Sequence, residues 1–132
     1  MTGVGSWDPE KQVTLDRTVI ARLAAADAEI EAPNLGFAPE EIARYAPLMR
    51  VPAARWSDAI EGAPVTQIES LIRVLTVAEM KLPGWEAKAK SPVVPLVAAL
   101  KRRREYRKEL GAWIKTHTTN RFLPHGSLMD RL

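Results

Sequence analysis

Three observations in this 132-residue sequence predict an all-α fold. Apolar residues recur at spacings of three and four, the period of a helix that buries one face. No window alternates apolar and polar residues over four or more positions between turn signals, as a half-buried strand would. Ten prolines and seven glycines separate the helical stretches. The expected architecture is an irregular bundle, or a short stack, of about five or six helices with an extended C-terminal tail.

The first helix is read from TLDRTVIARLAAADAEI, where Leu15, Val19, Leu23, Ala26 and Ile30 form one stripe of about four turns with Thr14 as N-cap. Pro33 and Gly36 end it. Pro39, Glu40 and Glu41 then open a short helix, because proline suits the first turn and acids suit the positive helix end. Pro47 and Pro52 cut the chain again, and PAARWSDAIEG gives two further turns that close at Gly62, with Trp56 and Ile60 on one side.

The best-patterned element is APVTQIESLIRVLTVAEMKLPG. Ile68, Leu71, Ile72, Leu75 and Leu82 continue one apolar stripe, which marks this helix as the centre of the core. Thr66 and Glu69 have the spacing of a capping box, and Pro83 with Gly84 stops the helix. Beyond GWEAKAK, Ser91 and Pro92 are read as cap and first position of another helix, with Pro95 tolerated because it still lies in the first turn. A last helix from about Glu105 carries Tyr106, Leu110, Trp113, Ile114 and His117 on one face. Trp56 and Trp113 are expected in or at the edge of the core, and Trp85 as a plug between helices.

Residues 1–132 are read as one helical domain, with 1–13 as an N-terminal extension and 118–132 as a tail packed on the domain or on a partner. Phe122 and Leu123 are expected to pack beside Trp113 and Ile114, since free tails seldom carry so many apolar groups. Hydrophobic residues at 46% and charged residues at 27% are ordinary for a chain that folds. The absence of cysteine excludes disulfides, thiolate metal sites and cysteine nucleophiles. The N-terminus does not read as a secretory signal, and SPVVPLVAAL is about half the length of a membrane span. A cytoplasmic protein with no membrane partner is expected.

Charge is divided unevenly. Residues 1–80 hold 7 Lys and Arg against 12 Asp and Glu, a balance of −5, whereas residues 81–132 hold 12 against 4, a balance of +8. Six cations fall between positions 101 and 108: Lys101, Arg102, Arg103, Arg104, Arg107 and Lys108, around Tyr106. On one continuous helix Arg103, Arg104 and Arg107 would extend the stripe of Leu96, Val97 and Leu100, so the helix is expected to end near Arg103 or Arg104. Part of the run is explained by cations offsetting a helix C-terminus. The remainder points to a basic corner between two helices that engages an acidic protein surface or, alternatively, nucleic acid. These seven residues are the candidate partner-binding site. Arg102, Arg103 and Arg104 are all expected at the surface, where glutamine would leave folding nearly unchanged.

No catalytic constellation emerges, and no cofactor or metal is expected. His117 and His125 stand eight positions apart, too far to share a helical face; His117 reads as a core-edge residue and His125 as a turn residue. Ser57 and Ser127 lack a preorganised histidine and acid, and Gly3-Val4-Gly5 follows no strand and opens no helix, as a phosphate loop must. An enzyme is therefore a distant alternative to a binding or adaptor protein. A homo-oligomer formed through the tail is a further expectation.

Overall fold

The computed structural model describes residues 13–123. Its first helix, α1 (Arg17–Ala25), begins where a carboxylate can cap it: Asp16 Oδ1 accepts from Val19 N at 2.9 Å. The cap is thus Asp16 and not Thr14, because the aspartate sits three residues before an orphan amide and brings a full negative charge to the positive helix end. α1 is also shorter than expected. Residues Ala26–Glu29 tighten into a 3-10 turn, which places Asp27 against the central helix. Val19, Ile20, Leu23, Ala24 and Ala26 are buried, while Leu15 and Ile30 lie half-buried at the two ends of the stripe.

The turn after Pro33 reverses the chain through two left-handed residues, Leu35 and Gly36. A side chain at Gly36 would meet Glu29 Cγ at 2.9 Å, so glycine is needed there for space as well as for its φ of 78°. α2 (Pro39–Tyr45) follows, continued by a 3-10 turn over Ala46–Arg50, and then α3 (Ala53–Ala59). Glu41 Oε1 accepts from Ala38 N, holding the start of α2, and the same carboxylate takes a two-pronged Arg22 from α1 at 3.0 Å on each prong.

α4 (Val65–Lys81) packs against α1, α5 (Val93–Arg102) and α6 (Lys108–His117), while α3 lies on α5. The expected stripe of Ile68, Leu71, Ile72, Leu75 and Leu82 is entirely buried. Burial also runs without interruption from Val74 to Glu79, more than a full turn, so neighbours surround this half of the helix. The expected capping box is absent: Pro64 occupies the cap position and Glu69 is turned to Arg107, 38 residues away.

Both buried indoles satisfy their N–H groups on backbone carbonyls of neighbouring helical turns. Trp56 donates to Leu48 O at 3.2 Å, and Trp85, the plug after Gly84, donates to Ile42 O at 2.9 Å while packing 5.5 Å from Phe37. Ser91 Oγ accepts from Val93 N at the start of α5. Pro95 is tolerated because its missing N–H falls in the first turn, where Ser91 O already accepts from Val94 N. All the described regular elements are helical, and no described helix is long and apolar enough to cross a membrane.

α6 buries Leu110 and Ile114, with Trp113 half-buried. His117 departs from its core-edge reading. It is exposed, stacked on Trp113 with ring centroids 3.9 Å apart, and its Nδ1 lies 2.7 Å from Trp113 O. Beyond α6 the chain turns back over α4. Leu123 is fully buried, whereas Phe122 is 51% exposed. Residues 1–12 and 124–132 lie outside the described residues, and with them Trp7, His125, Ser127, Asp130, the glycines at 3 and 5, most of the expected N-terminal extension and the rest of the tail.

Candidate functional site

The basic run forms a corner because α5 stops in the middle of it. Arg103 is the C-cap, Arg104 N donates to Lys101 O at 3.0 Å, and Glu105 N donates to Leu100 O at 2.9 Å. This pair of bonds is a Schellman motif, whose penultimate residue must be left-handed. Glycine normally fills that place; here it is Arg104, with φ of 61°. The break falls where the clash between cations and the apolar stripe predicts it. Arg107 then caps α6 in extended conformation.

The six cations divide into two groups. Arg103 points inward, and its guanidinium donates to Ala63 O at 2.6 Å and Ile60 O at 3.0 Å, tying α5 to the turn that follows α3. This corrects the expectation that Arg103 is a dispensable surface group. Arg107 Nε and Nη2 reach Glu69 on α4 at 2.9 and 3.3 Å, tying α6 to the central helix, and these bonds raise the pKa of Arg107. Lys101 is half-buried, with Nζ 5.0 Å from the centroid of the half-buried Tyr106 ring.

Arg102, Arg104 and Lys108 make up the outward group. All three are exposed, and among the described residues no hydrogen bond or ion pair engages their side chains. Their surroundings are mixed in sign. Arg102 shares a shallow cavity of about 280 Å³ with Asp58, Glu61 and Arg103. Glu105 Oε1 lies 4.0 Å from Arg103 Nη1, and Glu109 opens the first turn of α6. The corner is a patterned surface, positive at three points and edged with carboxylates.

A second feature escaped the sequence reading. Glu79, on α4, is only 8% exposed. Its Oε2 accepts a short bond from Ser91 Oγ and its Oε1 accepts from Asn120 Nδ2 at 3.3 Å, so one carboxylate joins α4, the start of α5 and the chain after α6. Burial pushes its pKa up, against the opposing effect of these donors, and the charge of nearby Glu86 pushes it in the same direction. The signal was present in the sequence. Ile68, Ile72, Leu75, Glu79 and Leu82 share one stripe at spacings of three and four, and an acid on an apolar stripe is a buried acid.

Among the described residues, no group of three or more His, Cys, Asp or Glu side chains is arranged to hold a metal ion. No protein-family model, curated protein or solved structure matches this chain.

Proposed function

We propose that this chain is a binding or adaptor module whose α5–α6 corner engages an acidic protein surface through Arg102, Arg104 and Lys108. The observation that carries the reading is Arg104. A non-glycine residue in the left-handed region costs about 1–2 kcal/mol, at a Schellman position that glycine would fill without strain. Leu35 is left-handed too, but its side chain is buried in the core, whereas the exposed Arg104 side chain has no packing role to offset the strain, which supports a use outside the fold. The carboxylates interleaved among the three cations favour a protein partner over nucleic acid, since a regular row of phosphates would be repelled by Asp58, Glu61, Glu105 and Glu109. The reading carries with it the cytoplasmic setting expected above.

Fluorescence anisotropy with two labelled probes tests it: a peptide alternating glutamate with leucine, and a 20-base-pair DNA duplex, each titrated over a salt series. The peptide should bind the full chain with a shallow salt dependence, and the variant carrying R102Q, R104G and K108Q together should lose about tenfold or more in affinity. Tighter binding of the duplex with a steep log-linear salt slope would replace this reading with the nucleic-acid one. Equal peptide binding by the triple variant would remove the corner from consideration.

A further inference from the structure

A groove of about 360 Å³ opens above Glu79, on the side of the molecule where the chain after α6 crosses the loop between α4 and α5. Its walls are Met80 and Phe122, the two large apolar side chains that stay exposed among the described residues, at 47% and 51%. Its base is polar, with Glu79 and Asn120, and Glu86, Lys88 and Arg121 stand around it. We propose that this groove is a binding site for a small organic ammonium, a primary amine on an apolar body, with Glu79 as its counter-charge.

The other acids drawn into this fold show what Glu79 lacks. Asp27 takes Arg73 at 2.6 Å, Glu41 takes Arg22 at 3.0 Å, and Glu69 takes Arg107 at 2.9 Å. Glu79, at 8% exposure, is buried nearly as deeply as Glu69 at 6%, yet its partners are all neutral, the Ser91 hydroxyl, the Asn120 side-chain amide and the Ala87 backbone N–H, and no cation lies within ion-pair distance of it among the described residues. A buried carboxylate without a counter-charge carries a desolvation cost that its neighbours relieve only in part. An ammonium entering the groove would supply the missing charge. The thioether of Met80 and the ring of Phe122 would cover its apolar body, and aromatic faces also attract cations. The volume lies at the small end of ligand cavities, which suits an amine of amino-acid size.

The charges around the groove bear on the choice of ligand. Glu86, from the α4–α5 loop, adds a second negative charge near Glu79. Lys88, from the same loop, and Arg121, from the chain after α6, are exposed. The Arg121 guanidinium lies 5.9 Å from the centroid of the Phe122 ring and makes no ion pair with Glu79. These cations would oppose a bare ammonium, and they would assist a ligand that also carries a carboxylate.

Isothermal titration of the full chain separates these contributions with three probes of one shape: phenethylamine, L-phenylalanine and 3-phenylpropionate. The amine and the amino acid should show saturable binding in the millimolar range or tighter. The propionate, lacking the ammonium, should bind at least tenfold more weakly. E79Q should abolish binding of both amines, and F122A, a change at an exposed side chain, should weaken it severalfold while leaving the fold intact should E79Q prove unstable. Titration in two buffers of different ionisation enthalpy should show proton release on binding as pH falls toward the raised pKa of Glu79. No saturable binding of either amine, equal binding of the propionate, or unchanged binding by F122A would overturn the proposal.

Discussion

Replacing Arg103 with glutamine isolates the structural part of the basic run. The guanidinium makes two charge-assisted hydrogen bonds to Ala63 O and Ile60 O, and its side chain is 27% exposed. Hydrogen bonds to charged groups contribute about 1.5–3 kcal/mol each in net terms, and partial exposure with competing water brings the pair down to roughly 2 kcal/mol. Glutamine is too short to reach either carbonyl, so R103Q should lose all of it. Urea unfolding followed by far-ultraviolet circular dichroism should show a lower midpoint at unchanged slope, which separates a loss of stability from a change in the exposed surface. R102Q and R104Q serve as controls and should stay within about 0.5 kcal/mol of the parent. If R103Q behaved like R102Q, the end of α3 would not depend on Arg103 and the division of the run into inward and outward cations would fail.

Three further outcomes are expected. L75A should cost about 2–5 kcal/mol in the same assay, because Leu75 is fully buried on the helix that touches α1, α5 and α6; a loss under about 1 kcal/mol would mean the core is centred elsewhere. R104G should raise stability by about 0.5–1 kcal/mol, the relief of left-handed strain less the entropy glycine loses on folding, and a fall in the unfolding midpoint would show that the Arg104 side chain holds the fold. Glu41 should contribute to acid sensitivity: Arg22 and then Ala38 N hold its pKa below the ordinary value of 4.5. Its folded pKa is the lower one, so its contribution is present above the unfolded value and disappears as pH falls through the folded one. The stability difference between the parent and E41Q should therefore be constant near neutrality and shrink below about pH 4.5; a difference that grew on acidification would contradict the assigned pairing.

What was legible in the sequence is what repeats. The α4 stripe and the break near Arg103 follow from period, or from a clash with period, and both hold; α2 opens on its proline as expected, while α5 begins one residue later than expected, with Pro92 in the cap position. The caps were less legible because several residues near a helix start can serve, and the choice is made by geometry at the scale of one residue. Thr14 and Asp16 are equally good by type, but only Asp16 stands at the right distance from the amide of Val19. Glu69 has capping-box spacing from Thr66, yet a guanidinium 38 residues further on claims it. Arg103 finds its acceptors 40 and 43 residues back in the chain. Such pairings depend on which helices lie side by side, and no local window contains that information.

The question raised by six cations within eight positions is whether contacts inside the fold account for them. Contacts to neighbouring elements account for Arg103 and Arg107. These two stand four positions apart on either side of the break, and each is fixed to a different neighbour, the turn after α3 and the second turn of α4. These contacts tie the corner down on both sides of the Schellman turn between α5 and α6 that carries Arg104, with Arg102 one step before the cap and Lys108 one turn after it. Ordering a mobile loop is among the larger costs of association, and a surface that is already ordered is spared that cost. The structural arginines therefore do not compete with the binding reading for the same residues. They supply the rigidity that would let three exposed cations select a partner by spacing rather than by net charge, and that distinguishes a patterned acidic surface from any polyanion.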